Sequence, residues 1–561
     1  MGLLDALGIG MRGLNAAQTA IDITGQNISN ANTEGYSRKR VNFEADSISS
    51  DIFGQKGIGV AVTEIDRVRN SFLDRQTWEQ MGDKGYNTEI DTAYTRLENI
   101  LKEPSEDGLA AKMNAFWASW QDLANNPSDL SSRESVKANA NVMLDTFHSV
   151  YKQIQDYGLS MNNPLDEKVK QVNDITGQIY MLNEKIAGIE ARGGEKANDT
   201  RDQRDLMVRK LSGLVDVQTI EDANGRCIIT SGGSMLVGPS EALTLETYGK
   251  DKTLADGSTT SELRIRIKGS YRPFEPRSGE LKGIMDARSN VLSVYMNNLN
   301  DLAASMVKNV NDQHNLGYNL NKATGVNFFD TGKTSAGSIS LSDSVAAGAE
   351  NIAAAAGGSI TDVASFLPAG GIPAAASGVL DLKATNTAYR DLTADSVKVT
   401  LADGTVLEEG AGKDYVVDYE LGTIKFINYA RYAAANAISV KIKYNTTGYS
   451  GNGNGQNALT IAGLRLKKTL SPDVEGNNTQ SVSSYYSAVI GKLGIEKNQN
   501  ASRKETKEFL IAQMDAEQST TSGVSLDEEM TNMIKFENSY RASAKFISTV
   551  SQMMEVLMGI Q

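Results

Sequence analysis

The chain has 561 residues, with 56 Lys and Arg against 69 Asp and Glu, a formal net charge of −13. That length predicts about three or four domains, and the acidic balance argues against the basic patches that displace counterions from nucleic acid or hold anionic lipid. Two histidines, His148 and His314, and the single Cys227 leave no zinc cluster, intramolecular disulfide or CxxC redox pair, so no metal, cofactor or catalytic residue is assigned. No apolar run reaches the roughly 18 residues of a membrane span.

Met1 to Ala20 lack the basic start and uninterrupted apolar core of a cleaved secretion signal. A cytoplasmic protein or export by a route that ignores such signals is expected. From Leu4 to Ile28 a helix is predicted: Leu7, Leu14, Ile21 and Ile28 recur at heptad spacing, with Leu4 and Met11 each three residues ahead. Gln18 and Gly25 interrupt this seam. Asn30, Asn32 and Gly35 then supply helix-stop and left-handed turn residues before Tyr36. Ile58, Val60 and Val62 alternate as a strand, and Gly57-x-Gly59 precedes neither a third glycine nor a helix, which argues against a phosphate loop.

Asn70 to Ser212 reads as helical, with stripes at Ile90, Tyr94, Leu97 and Leu101 and at Val172, Ile175, Ile179, Leu182, Ile186 and Ile189, broken at Gly193-Gly194. Such narrow seams need helical partners. Val215 to Ile267 switches to a two-residue period around a hairpin turn at Asp222–Gly225. Gly279 to Asn315 is helical again. Ser335 to Ser377, rich in Ala, Gly and Ser, is expected to be a loosely structured connection. Val397 to Tyr444 reads as a small β module turning at Asp403-Gly404 and Leu421-Gly422, Gly448 to Gly455 as a flexible return, and Asn457 onward as helix. At the C-terminal end Met533, Phe536, Tyr540, Ser543, Ile547, Val550, Met554 and Leu557 step alternately by three and four behind a capping box at Ser525–Glu528.

These elements predict a mainly α chain with β subdomains, an α+β, multi-domain architecture. Residues 1–45 with 525–561 form a terminal coiled-coil domain. Residues 46–335 with 450–524 form a long-helix bundle with a β subdomain around 214–275. Residues 336–449 form an inserted, outward-facing region with the β module around 380–444. Both ends are amphipathic helices without a local partner, so pairing them is economical; the alternative is two separate helices packed on the body. The interruptions at Gln18 and Gly25 predict a pair that is marginal alone and orders fully against neighbouring copies.

Asn27-Ile28-Ser29-Asn30-Ala31-Asn32-Thr33-Glu34-Gly35-Tyr36-Ser37-Arg38 resembles the N-terminal motif of bacterial flagellar axial proteins, the rod, hook and hook-associated proteins. Gly57–Val60 through Ile65-Asp66-Arg67, and Phe72–Gln76, continue that resemblance. Asn198-Asp199 with Asp202–Asp205, Gly279–Arg288 with Val310–His314, and Ser522–Glu529 leading into Tyr540–Ala544 narrow it to the hook–filament junction branch. The resemblance implies a structural protein, not an enzyme. It would be exported unfolded and uncleaved through the flagellar type III channel, be extracellular in the flagellum, and stack on the distal hook end with terminal helices lining the channel. It would adapt the flexible hook to the stiff filament. The implied partners are neighbouring copies, hook protein, the second junction protein and an export chaperone, with no nucleic acid, membrane or cofactor.

The candidate assembly residues are Leu4, Leu7, Met11, Leu14, Ile21, Ile28, Asn30, Asn32, Gly35 and Tyr36 at one end and Met533, Phe536, Tyr540, Ile547, Val550, Met554 and Leu557 at the other. The turn residues Asn30 to Tyr36 equally fit a plain helix stop. Asp199, Asp202 and Asp205, interleaved with Arg201, Arg204 and Arg209, read as a salt-bridged helix face rather than a cation site. Hook protein, the second junction protein and a secreted adhesin or effector using the β module are the alternatives. A wall-cutting glycosidase would need a placed carboxylate pair, and no motif supplies one.

Overall fold

The computed structural model describes residues 3–51, 54–191, 196–253, 257, 259–366, 379–382, 397–401, 405–418, 423–427, 438–449, 451–472 and 476–558. The expected Gly193-Gly194 break, the turns at Asp403-Gly404 and Leu421-Gly422, and residues 367–377 of the small-residue stretch lie outside them.

Helix α1 (Leu3–Ser29) leads into an antiparallel ribbon of β1 (Lys39–Asp51) and β2 (Gly54–Arg67). Helices α2 (Ser71–Leu101), α3 (Leu109–Asn125), α4 (Leu130–Ser160), α5 (Asn162–Glu190) and α6 (Asn198–Leu214) follow. Next come the three-stranded sheet β3 (Gln218–Glu221), β4 (Cys227–Ser231), β5 (Ser234–Val237) and the hairpin β6 (Leu245–Thr253), β7 (Thr259–Ile267). Helix α7 (Glu280–Asp286) passes through a π turn, Ala287–Leu292, into α8 (Ser293–His314), and a short α9 (Asp343–Ala347) follows. Strands β8 (Gly357–Phe366), β10 (Val397–Leu401) and β13 (Ile438–Tyr449) form one sheet. Strands β9 (Val379–Asp381), β11 (Tyr415–Asp418) and β12 (Thr423–Phe426) form another. The chain closes with α10 (Gln456–Gly463), the hairpin β14 (Lys468–Pro472), β15 (Asn478–Ser481), and the long helices α11 (Val482–Ser522) and α12 (Leu526–Met558). The chain is mainly α with small antiparallel β modules.

Two compact units divide these elements. The first is Met1–Ile100, Ile154–Tyr295 and Lys492–Gln561. Along α5 its buried stripe is Leu165, Val169, Val172, Thr176, Ile179, Asn183 and Ile186. Thr176 and Asn183 therefore sit inside, where the sequence pattern predicts Ile175 and Leu182. The reason is hydrogen bonding. Asn183 donates to Cys227 O at 2.8 Å and accepts from Cys227 N at 3.0 Å, and Asn173 does the same to Leu245 at 2.8 Å each way. A helix-borne carboxamide offers a strand the same donor and acceptor that a neighbouring strand would. Polar residues on an inward face thus dock sheets that hydrophobic periodicity alone cannot place.

The second unit is Leu101–Gln153 and Met296–Gly491. Phe116 and Trp120 of α3 meet Phe328 and Phe329, with ring centroids 5.2 Å apart for Trp120–Phe328 and 4.8 Å for Phe328–Phe329, and Trp117 packs on Phe116 at 4.9 Å. His314 is fully buried among them: Nδ1–H donates to Val326 O at 2.6 Å and Nε2 accepts from Ala353 N at 2.8 Å. Burial pushes its pKa down to about 4, so it is neutral. A separate β core gathers Leu382, Val397, Val399, Leu407, Tyr415, Val417, Ile424, Phe426 and Val440.

Three expectations are corrected here. Residues 335–356 are not a loose connection, because Ala336, Ile339, Val345, Ala349 and Ile352–Ala355 are buried; small side chains here permit close packing. Helix does not run unbroken from Asn457, since left-handed Ser471 and Gly476 and the proline at 472 turn the chain into the β14–β15 hairpin. The glycine-rich return is short: β13 pairs with β8 through Tyr449, and Asn454 Oδ1 caps Gln456 N at 2.8 Å.

Candidate assembly interface

The two ends of the chain pack against each other as antiparallel helices within the first unit. Gly10 of α1 faces Ile547 and Phe546 of α12, Gly13 faces Ser543, and Asn27 meets Glu529. Each advance along α1 is matched by a nearly equal retreat along α12. A Cβ added at Gly10 would lie 2.6 Å from Ile547 Cγ1, so the glycines let the helices approach. The buried face of α1 is Gly10, Ala16, Ala17, Ala20, Ile23, Thr24 and Asn27, a stripe of small residues.

The predicted leucine seam lies beside that stripe. Leu7, Leu14, Ile21 and Ile28 are half-buried, while Leu4 and Met11 are exposed. On α12, Met533, Phe536, Tyr540, Ile547 and Met554 are half-buried, Val550 is buried and Leu557 is exposed. Phe43 of β1 packs on Phe536, centroid to centroid at 6.2 Å. A second row on α12 is left outward: Met530, Ile534, Met553 and Val556 are each more than half exposed. In the single chain α1 and α12 are helical and paired. The physical reason lies at their joined end.

There Asn27, 1% exposed, uses all four hydrogen-bonding positions of its amide. Oδ1 accepts from Lys39 N at 3.0 Å and Tyr36 Oη at 2.8 Å; Nδ2 donates to Lys39 O at 2.9 Å and Glu529 Oε2 at 3.0 Å. Glu529, 2% exposed, also accepts from Arg38 Nε at 2.7 Å. Arg38 Nη1 reaches Glu528 at 2.9 Å, and its backbone N–H donates to Ser522 O at 3.0 Å. The predicted capping box is therefore half formed: Glu528 N reaches Ser525 Oγ only at 3.5 Å, and the Glu528 carboxylate turns to Arg38. Burial, then Asp199, Asp202 and Glu529, pushes the Tyr36 hydroxyl well above its ordinary pKa, so it stays protonated and donates.

The same motif continues into α6. Ser37 donates N–H and Oγ–H to the two oxygens of Asp202, at 2.9 and 2.8 Å. Arg67 bridges Asp202 and Asp205 at 2.7 and 2.9 Å. Burial alone would raise the Asp205 carboxyl, but Arg204, Arg67 and Arg69 outweigh it and hold it below the usual carboxylate value. Lys39 reaches Asp199 at 2.6 Å. The expected salt-bridged face is thus a tertiary network whose cations come largely from β1 and β2. Arg204 also donates to Asp205, at 3.1 Å, while Arg201 pairs with Glu190 at 2.7 Å, and both reach the β3 residue Glu221, at 2.9 and 3.2 Å. Among the described residues no group of three or more His, Cys, Asp or Glu is placed to hold a metal ion.

The turn residues fall into this frame. Asn30 accepts from Thr33 Oγ1 at 3.1 Å, Asn32 is exposed, and Gly35 takes φ +80° where a Cβ would press on Leu206 at 3.2 Å. Asn27, Arg38 and Glu529 are the site residues that hydrophobic spacing missed. A signal existed: one step back along the α12 seam from Met533 lands on Glu529, and a polar residue on an inward face demands a partner.

Three family models match the chain: the flagellar hook-associated protein FlgK helical domain over residues 94–329, the flagella basal body rod protein over 7–36, and the flagellar basal body rod FlgEFG protein C-terminal over 519–560. Flagellar hook-associated protein 1 of Bacillus subtilis is 28% identical, over 97% of this chain and 96% of the relative. The protein of the same name from Salmonella typhimurium is 26% identical over 98% and 99%. The solved structure of the flagellar hook junction protein FlgK from Burkholderia pseudomallei shares the fold, with TM-score 0.56, 21% identity, and coverage of 80% of this chain and all of that one. With both joined ends and the helical body matched, the chain is a homologue, over nearly its whole length, of proteins named flagellar hook-associated protein 1, and is a structural protein of the flagellum rather than an enzyme.

Proposed function

We propose that this chain joins the hook to the filament of the bacterial flagellum, and that it does so by stacking copies through the outer face of the α1–α12 pair. The observation that carries this reading is the set of exposed apolar side chains at the two ends of the pair, Leu4, Met11, Met553 and Val556 towards one end and Met530 and Ile534 towards the other, on helices whose inner faces are already occupied. Exposed apolar side chains clustered on a helix pair favour a protein partner. Neighbouring copies, hook protein and the second junction protein are the partners in this reading. Export passes through the flagellar channel without cleavage, with a chaperone covering the same helices beforehand.

Removing residues 525–561 should leave the second unit folded and abolish attachment to hook tips, seen by electron microscopy of isolated hook–basal bodies. A truncated chain that still decorates hooks would sink this reading. Ile534→Asp is the sharper probe: it should leave the fold and secretion intact and abolish motility. Blocked secretion instead would assign that face to export.

A further inference from the structure

We infer that Asn27, Arg38 and Glu529 act as a register clamp, the element that decides which turn of α1 faces which turn of α12. The heptad-like seams do not decide it. Leu7, Leu14, Ile21 and Ile28 repeat at heptad spacing, as do Met533, Tyr540, Ile547 and Met554, so a slip of one heptad presents nearly the same apolar faces. The small residues Gly10, Gly13, Ala16, Ala17 and Ala20 add only a steric preference, because a slip of one heptad moves Ile547 from Gly10 to Ala16, one methyl larger. What does not tolerate it is the polar end. Sliding by one heptad in one direction sets Asn27 opposite Phe536 and carries Glu529 beyond the end of α1, leaving a buried amide and a buried carboxylate without partners.

The clamp also fixes which atoms face each other. Asn27 Oδ1 is committed to two donors, Lys39 N and Tyr36 Oη, so only Nδ2 is free to point at α12. That requires an acceptor without a proton, which a carboxylate at 529 supplies and an amide supplies at one of its two atoms only. Arg38 occupies the other carboxylate oxygen and is itself tied to Ser522 O, the last residue of α11. One short network therefore ties the start of the chain to the joint between its last two helices, across 502 residues of sequence. A polar residue at an otherwise apolar helix seam setting register is the best-attested use of such buried groups.

The test is disulfide capture on the purified full-length chain, so it stands apart from any binding to hooks. A Cβ at Gly13 would lie 3.7 Å from Ser543 Cβ, within disulfide reach. Gly13→Cys with Ser543→Cys therefore reports the native register, and Gly13→Cys with Val550→Cys reports the slipped one, whose partners are about 10 Å apart along the helix in the native pair. Both carry Cys227→Ser. With the clamp intact, mild oxidation should close the first pair and leave the second open. Glu529→Gln and Asn27→Ala should each raise the slipped adduct about tenfold relative to the native one, while helicity by circular dichroism is retained. An unchanged ratio in both variants overturns the clamp, as does failure of the native pair to close in the parent. Loss of helicity in Asn27→Ala with an unchanged ratio in Glu529→Gln overturns it too, leaving Asn27 a plain folding residue.

Discussion

At comparable depth the first unit buries Asp202, Asp205, Arg204, Asn183 and Glu529, whereas the second buries Phe116, Trp120, Phe328 and Phe329 around one neutral histidine. The first is specified by directional pairs between segments far apart in sequence, so its errors are errors of partner and register. The second also buries Arg133, Asn311 and Asn457, but its centre is an aromatic cluster filled by volume, so the errors there are cavities. Polar pairs contribute modest net stability but make alternatives expensive. Aromatic packing contributes stability and tolerates little loss of volume.

The largest effect expected from breaking this contrast is Trp120→Ala, which should destabilise the second unit by about 4 kcal/mol. Chemical denaturation followed by circular dichroism should then show a new, earlier transition while Trp78 fluorescence, in a Trp117→Phe background, still reports an intact first unit. Asp202→Ala should do the converse. It strands Ser37 and leaves Arg67 one carboxylate instead of two, at a cost of about 3 kcal/mol. Trp78 should report that loss and Trp117 and Trp120 should not.

Acid should separate the units without mutation. His314 has its pKa lowered from 6.5 to about 4. Between those values the unfolded chain binds a proton that the folded one refuses, so stability rises with pH in that window and falls as pH drops from 6.5 towards 4. The full effect is on the order of 3 kcal/mol. Asp205, with its pKa lowered, contributes stability that is complete above the ordinary carboxylate value of 3.8 and fades only below it. Denaturation at pH 7 and pH 5 should therefore weaken the second unit first, and His314→Gln should flatten that slope. A first unit that softens earlier would mean its acid sensitivity lies outside the network. The smallest expected effect is Gly35→Ala, about 1 to 2 kcal/mol in the first unit from the left-handed φ and the Leu206 contact, measured as a shifted thermal midpoint.

Much of this was legible in the residues. The stepping of Met533 to Met554 predicts the inward stripe of α12, and Asp222–Gly225 predicts the β3–β4 hairpin, with Gly225 at φ +78°. Small residues were harder: Gly10, Gly13 and the alanines of α1 carry little hydrophobic signal, yet they make the contact face because closeness, not size, is what that packing needs. Polar docking was harder still. Asn173, Asn183 and Asn27 look like seam faults in a hydrophobic reading, and their meaning depends on strands and helices that arrive from elsewhere in the chain. Secondary-structure periodicity is local; the partner of a buried amide is not.

Pairing α1 with α12 gives the polypeptide the connectivity of a stem and loop, with both ends in the stem. Whatever lies between can lengthen, shorten or acquire a module without altering how the stem meets its surroundings, provided the loop returns to the same base. The alignment with the Bacillus subtilis relative runs over 590 positions, more than the chain's own length, so insertions and gaps separate the two proteins while coverage of both stays near complete. A stem of this kind also gives protein engineers a rule. Cargo inserted between β-module strands stays tethered at two points, whereas a tag fused to either end sits at the far end of the stem from the Asn27–Glu529 junction, beside the helix faces proposed to stack.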